Sequence, residues 1–71
     1  MDFIVYGAER FFACEVKHAR RVHRSDLRAL KAFRDDYPEA ELTLIYLGRE
    51  RLAIDGITIV PVDAFLQELR G

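Results

Sequence analysis

The stretch Phe11-Phe12-Ala13-Cys14-Glu15-Val16-Lys17 constrains the fold more than any other part of the chain. Two aromatics, Val16 and a small Cys14, in a run without Gly or Pro, suit a pleated and mostly buried surface and predict a strand. Side chains alternate across a strand, so Phe11, Ala13, Glu15 and Lys17 share one face while Phe12, Cys14 and Val16 share the other. One face is wholly apolar. The other begins apolar and ends in a carboxylate and an ammonium two positions apart, a poor way to build a core and a sensible way to build a site.

Length limits what can surround this strand. Seventy-one residues predict one small domain, residues 1–71, and a chain of this size buries only about 60% of the surface it exposes when unfolded. One cysteine forms no internal disulfide, so a partner subunit, first of all a second copy of the chain, is the expected source of extra stability. Eleven basic and twelve acidic side chains nearly cancel, which excludes a global field drawing the protein to nucleic acid or membrane and leaves only local contacts. A lone Cys14 on an apolar strand face reads as a small buried hydrophobe in a reducing compartment. The first residues lack the basic and long apolar regions of a signal peptide, and no run approaches the ~20 apolar residues needed to span a bilayer, so the expected location is the cytoplasm.

Asp2 to Tyr6 predicts a first strand, joined to the second through the turn-prone Gly7-Ala8-Glu9-Arg10. A loop of two or four residues pairs Tyr6 with Phe11, Ile4 with Ala13, and Asp2 with Glu15. A three-residue loop would instead set Asp2 against Cys14 or Val16. Like charges directly opposed on an antiparallel pair destabilise the sheet unless something neutralises them. A divalent cation does so, since Mg²⁺ takes oxygen ligands and commonly uses one or two carboxylates. After Lys17 comes the acid-free basic segment His18-Ala19-Arg20-Arg21-Val22-His23-Arg24, whose cations either contact phosphates or simply face solvent. His18 and His23 lack metal-ligand spacing and read as surface residues.

Ser25 is the expected N-cap of a helix, with Asp26 in the first turn suiting the helix dipole. Leu27, Leu30, Phe33 and Tyr37, joined by Ala29, fall on one side of it, Arg28, Lys31 and Asp35 on the other, and Pro38 ends it. Glu41 to Leu47 is a nearly continuous apolar run, as for a strand covered on both faces. The intervening helix suits a right-handed crossover that makes this strand parallel to the one at Phe11. Arg51-Leu52-Ala53-Ile54, a strand or a loop, and Ile57-Thr58-Ile59-Val60 flank the hairpin dipeptide Asp55-Gly56. Pro61 places the last strand at an edge or ends it. Asp63 is the expected cap of a closing helix, Ala64 to Arg70, with Phe65, Leu66 and Leu69 on its apolar side. The fold class is therefore α+β with a mixed sheet, in the order β-β-α-β-β-α.

Hydrolysing a phosphodiester requires neutralised phosphoryl oxygens, an activated water and a stabilised leaving oxygen, all of which one or two metal ions supply. Asp2 and Glu15 as metal ligands, with Lys17 orienting or deprotonating the attacking water, make a coherent set. Glu-x-Lys triplets are also common as solvated charges at strand ends. Here an acid lies opposite in the favoured register, and a basic segment follows.

Asp2-Phe3-Ile4, Glu15-Val16-Lys17 after a short hairpin, a helix ending in Tyr37-Pro38, Leu44-Ile45-Tyr46-Leu47-Gly48, and Ile59-Val60-Pro61 before Phe65-Leu66 together resemble the PD-(D/E)XK nuclease superfamily. More narrowly, they resemble the carboxy-terminal nuclease-like domain of prokaryotic AAA-type ATPases. The resemblance covers nearly all of the chain through the order and spacing of its motifs. It implies a restriction-endonuclease-like core, cleavage of DNA assisted by Mg²⁺ or Mn²⁺, and an AAA-type ATPase as partner. By position, Asp2 and Glu15 match the acidic metal ligands, and Lys17 matches the catalytic lysine. Lys17, Arg20, Arg21 and Arg24 are the expected nucleic-acid contacts. Met1 stands in the place of the motif proline. The superfamily core usually begins with a helix and a strand before the Asp, and the chain reads as a minimal domain without them, whose exposed apolar surface at Ile4, Tyr6 and Phe11 suits a homodimer. No Gly-x-x-x-x-Gly-Lys-Ser/Thr is present, so these residues do not form the ATPase itself. The alternative function is a non-catalytic DNA-binding, protein-interaction or dimerisation module on the same fold.

Overall fold

The computed structural model describes residues 3–6 and 10–69. Five strands and two helices follow in the order β1 (Phe3–Tyr6), β2 (Phe11–Val16), a 3₁₀ turn (Arg24–Leu27), α1 (Arg28–Asp36), β3 (Glu41–Tyr46), β4 (Leu52–Ile54), β5 (Ile57–Pro61) and α2 (Val62–Leu69). The strands form one mixed sheet in the spatial order β1-β2-β3-β5-β4. β1 and β2 are antiparallel, β2, β3 and β5 are mutually parallel, and β4 returns antiparallel to β5. The α+β class and the element order agree with the pattern in the sequence.

The β1–β2 register has Tyr6 opposite Phe11, Ile4 opposite Ala13 and Phe3 opposite Cys14, as the longer or shorter even loop requires. Alternation then sends Ala13, Leu42, Leu44, Ile57 and Ile59 to one face, where they pack with Leu27 and Leu30 of the 3₁₀ turn and α1. Phe12, Cys14, Ile45 and Val60 face the other way and pack with Val62, Ala64 and Phe65 of α2. Leu27, Leu30, Leu44, Ile57 and Ile59 are fully buried. Burying a side chain of that size is worth about 1.5–3 kcal/mol.

Several local expectations change. The helix does not begin at Ser25: His23 precedes the 3₁₀ turn in an extended conformation, and the carboxylate of Asp26 accepts the His23 backbone N–H at 2.7 Å. The N-cap is therefore His23 instead of Ser25, and Asp26, at the third position of the turn, reaches back to satisfy its N–H. Ala29 and Tyr37 are exposed, so the buried stripe narrows to Leu27 and Leu30 with Phe33 half-buried beside them. At the chain's other end, α2 starts directly at Val62, with Asp63 inside its first turn. Leu66 is half exposed, and Val62 and Ala64 supply the contact expected of it. Arg70 and the side chain of Leu69 lie outside the described residues.

Asp55 and Gly56 both have positive φ, 53° and 79°, as a type I′ hairpin turn demands. This turn is tied to α1: Lys31 Nζ donates to Asp55 Oδ2, and Arg34 Nη1 donates to the Asp55 carbonyl at 2.6 Å. The Lys31 ammonium holds the Asp55 carboxyl below its ordinary value. Pro61 closes β5 opposite Tyr46, in a strand next to the edge. Here the proline ends the strand.

Candidate functional site

The carboxyl ends of β2, β3 and β5 lie along one margin of the sheet, and the chemistry-bearing residues gather there. The β2–β3 ladder runs past the assigned strands: Lys17 N donates to Ile45 O at 2.8 Å, and Leu47 N donates to Ala19 O at 2.9 Å. These bonds hold the start of the basic segment beside the loop that follows β3.

Glu15 is on the α1 face of β2, paired in register with Leu44, and its Oε2 is buried. Lys17 projects from the same margin and donates through Nζ to Asp26 Oδ1 at 2.9 Å. Glu15, Lys17, Ser25, Asp26 and Arg28 line one open pocket of about 500 Å³ floored by Leu44. The His23 backbone N–H, and secondarily the Lys17 ammonium, hold the Asp26 carboxyl below its usual range. Asp26 therefore stays ionised at neutral pH and holds the Lys17 amine against the pocket wall.

The residues singled out in the sequence fall in different places. Glu15 and Lys17 come together in this pocket. Asp2 lies outside the described residues. Arg20 and Arg21 line a separate, larger cleft with Arg49 and Glu50. Arg24 stands outside both, and its charge contributes to lowering the Asp55 carboxyl. Cys14 is fully buried, and burial, against a smaller pull from Arg10, pushes its thiol up to about 11; a thiol so placed is inert at neutral pH. His18 and His23 are exposed.

Two residues that lie beside the predicted ones carry little or no signal in the sequence. In the sequence Asp26 reads only as a partner of the helix dipole, although it is the first acid after the basic segment that follows Lys17. That position was the available signal for a partner to Lys17. Arg49 carries no local signal, because only the parallel pairing of β2 with β3 brings it beside Arg20 and Arg21.

Carboxylate oxygen is the donor type a hard dication prefers, and Mg²⁺ needs few protein ligands, so Glu15 beside an open pocket fits such an ion chemically. Among the described residues no group of three or more His, Cys, Asp and Glu side chains is arranged to hold a metal. No described helix is long and apolar enough to cross a membrane.

Fold and site together define a small α+β domain with helices on both faces of a mixed sheet and a carboxylate–lysine–carboxylate pocket at the carboxyl end of its parallel strands. Residues 1–65 match the model of the family described as a domain of unknown function, DUF4143, and the chain belongs to that family. No curated protein and no solved structure matches the chain.

Proposed function

We propose that the chain is a nuclease-like domain acting on DNA phosphodiesters, with its site at Glu15 and Lys17. The observation that carries this reading is the convergence of Glu15, Lys17 and Asp26 on one open pocket where the parallel strands end. Crevices outside the carboxyl ends of parallel strands are where open α/β sheets place their ligands. Glu15, with Asp2, would hold Mg²⁺ or Mn²⁺; such an ion, when bound, supplies charge neutralisation at the phosphate and activation of water. Lys17 donates to a phosphoryl oxygen or to the attacking water. Asp26 is a positioning residue that holds the Lys17 amine in place. In this reading the protein works in the cytoplasm beside an AAA-type ATPase, a partner that rests on the resemblance of its motifs.

Cleavage of several DNA forms in the presence of Mg²⁺ or Mn²⁺ tests the proposal. Wild type is expected to cut and Glu15→Ala and Lys17→Ala to lose activity. Undiminished cutting by both variants, or none by wild type with either metal, ends the catalytic reading.

A second reading, an interaction module that dimerises, is favoured by the open edge of the sheet. Ile4, Val5 and Tyr6 of β1 are exposed, Tyr6 by 79%. Edge strands with unpaired backbone groups are templates for pairing with another chain. Tyr6, Phe33 and Tyr37 surround Phe11 with ring centroids 5.0–5.8 Å away, giving a second copy a firm aromatic surface to pack on. A solution mass above 8.3 kDa at micromolar concentration supports this reading, and a clean monomer defeats it.

A further inference from the structure

We propose that Arg20, Arg21 and Arg49 form a subsite for the DNA phosphate backbone, in the cleft between the link after β2 and the loop after β3. This inference rests on the nucleic-acid reading of the neighbouring Lys17 pocket and extends it to a part of the surface that the Glu-x-Lys strand does not mark.

Three observations support it. The cleft, of about 650 Å³, is lined by Arg20, Arg21, His23 and Arg49, with Glu50 as the one acidic residue in its wall. In a chain whose charges nearly cancel overall, that is a local excess of positive charge. Second, among the described residues no ion pair engages any of the three arginines, whereas Lys17, Lys31 and Arg51 each face a carboxylate. Their guanidinium groups remain available for an external anion, and a planar fork of N–H donors matches phosphate oxygens two at a time.

The third observation is that both walls are held. The Leu47 N–Ala19 O bond joins them at their base, and the Tyr46 hydroxyl donates to the Glu50 carbonyl across the loop that presents Arg49. Tied backbones hold the roots of these side chains near one another. Because Lys17 follows β2 and Arg49 follows the adjacent parallel β3, a strand of DNA running along this margin meets Lys17 and then the arginine cleft. Phosphate contacts of this kind position a duplex without reading its sequence.

The test is binding of a fluorescein-labelled DNA duplex, followed by anisotropy across a salt series in EDTA, where no cutting occurs. Each lost phosphate contact flattens the dependence of log K on log salt by about 1. Arg49→Ala and Arg20→Ala are each expected to show that flattening with a several-fold weaker Kd, while Arg51→Ala, whose side chain pairs with Glu68 outside the cleft, keeps the wild-type slope. Circular dichroism confirms that each exposed-site variant is folded. An Arg49→Ala slope equal to that of wild type overturns the proposal, as does a wild type that does not bind the duplex. Failure of the nuclease reading looks different: binding that depends on Arg49, with no cleavage in Mg²⁺ or Mn²⁺, removes the catalytic claim and leaves the subsite standing.

Discussion

Gly48→Ala tests whether the loop after β3 is built around Tyr46. A Cβ at position 48 would fall on Cε2, Cζ and Oη of the Tyr46 ring, all well inside the 3.0 Å that real Cβ contacts respect. Gly48 does not have a positive φ, so the requirement for glycine is one of space and not of backbone conformation. The ring is 4% exposed and packed in the α1-side core, and it cannot swing aside without disturbing that core. Overpacking of this kind costs about 1–3 kcal/mol, and displacing the hydroxyl from the Glu50 carbonyl removes a hydrogen bond worth about 1 kcal/mol. A loss of roughly 2–4 kcal/mol is a large share of the roughly 4–10 kcal/mol expected for a domain of this length. It lowers Tm by roughly 8–32 °C.

Urea unfolding followed by circular dichroism measures the loss. The double variant Gly48→Ala/Tyr46→Leu supplies the control, because truncating the ring removes the clash and the two changes should be strongly non-additive. Gly48→Ala within about 0.5 kcal/mol of wild type, the spread expected of a neutral surface substitution, would refute the reasoning. Additivity of the two changes would do the same.

Two further predictions concern pH. Asp26 and Asp55 both have carboxyl groups held below their ordinary value, so the stability they contribute is present above the unfolded Asp pKa of about 3.9 and is lost as pH falls through their depressed folded values. Asp26→Asn is expected to lower Tm at neutral pH and to flatten the acid limb of Tm against pH; a limb parallel to that of wild type argues against the Lys17 and His23 contacts. Cys14 has the opposite sign on the alkaline side. With its thiol raised from 9.0 to about 11, the native state resists ionisation, so stability holds below pH 9 and declines as pH rises toward 11. A tenfold change in proton affinity is worth about 1.4 kcal/mol, which makes the full loss roughly 2–3 kcal/mol. Cys14→Ala should flatten this decline, and rapid reaction of the native protein with a thiol reagent at pH 7 would contradict the burial on which it depends.

The sheet was legible because its signals are short-range and redundant. Alternation in Phe11–Lys17 assigned each side chain to the correct face, the Asp55-Gly56 dipeptide fixed one hairpin, and the intervening helix required β2 and β3 to be parallel. What the sequence left unread depends on where chain segments meet. The start of α1 was misplaced because Ser25 and Asp26 are both good capping residues, and only the extended conformation at His23 decides between them. Leu66 reads as inward because periodicity gives a helix face but not its rotation on the sheet; beginning at Val62 turns that face toward Ala64 and Phe65. In the candidate site, Glu15 and Lys17 are visible as a local pair, whereas Asp26 reaches Lys17 by folding back from the turn before α1, and Arg49 comes beside Arg20 and Arg21 in the neighbouring cleft only through the pairing of β2 with β3.

The continuation of the β2–β3 ladder beyond its strands separates two kinds of motion at the margin of the sheet. Amides at Lys17 and Leu47 are bonded as if still within the ladder, which ties their opening to that of the strands they extend. The exposed arginine side chains nearby change rotamers on the picosecond-to-nanosecond scale. A ligand settling there therefore has little backbone to order, and its entropic cost is confined to about 0.5–1.5 kcal/mol for each arginine it immobilises. A fixed frame with mobile tips can follow the changing contour of a polymer while the ladder beneath it stays closed.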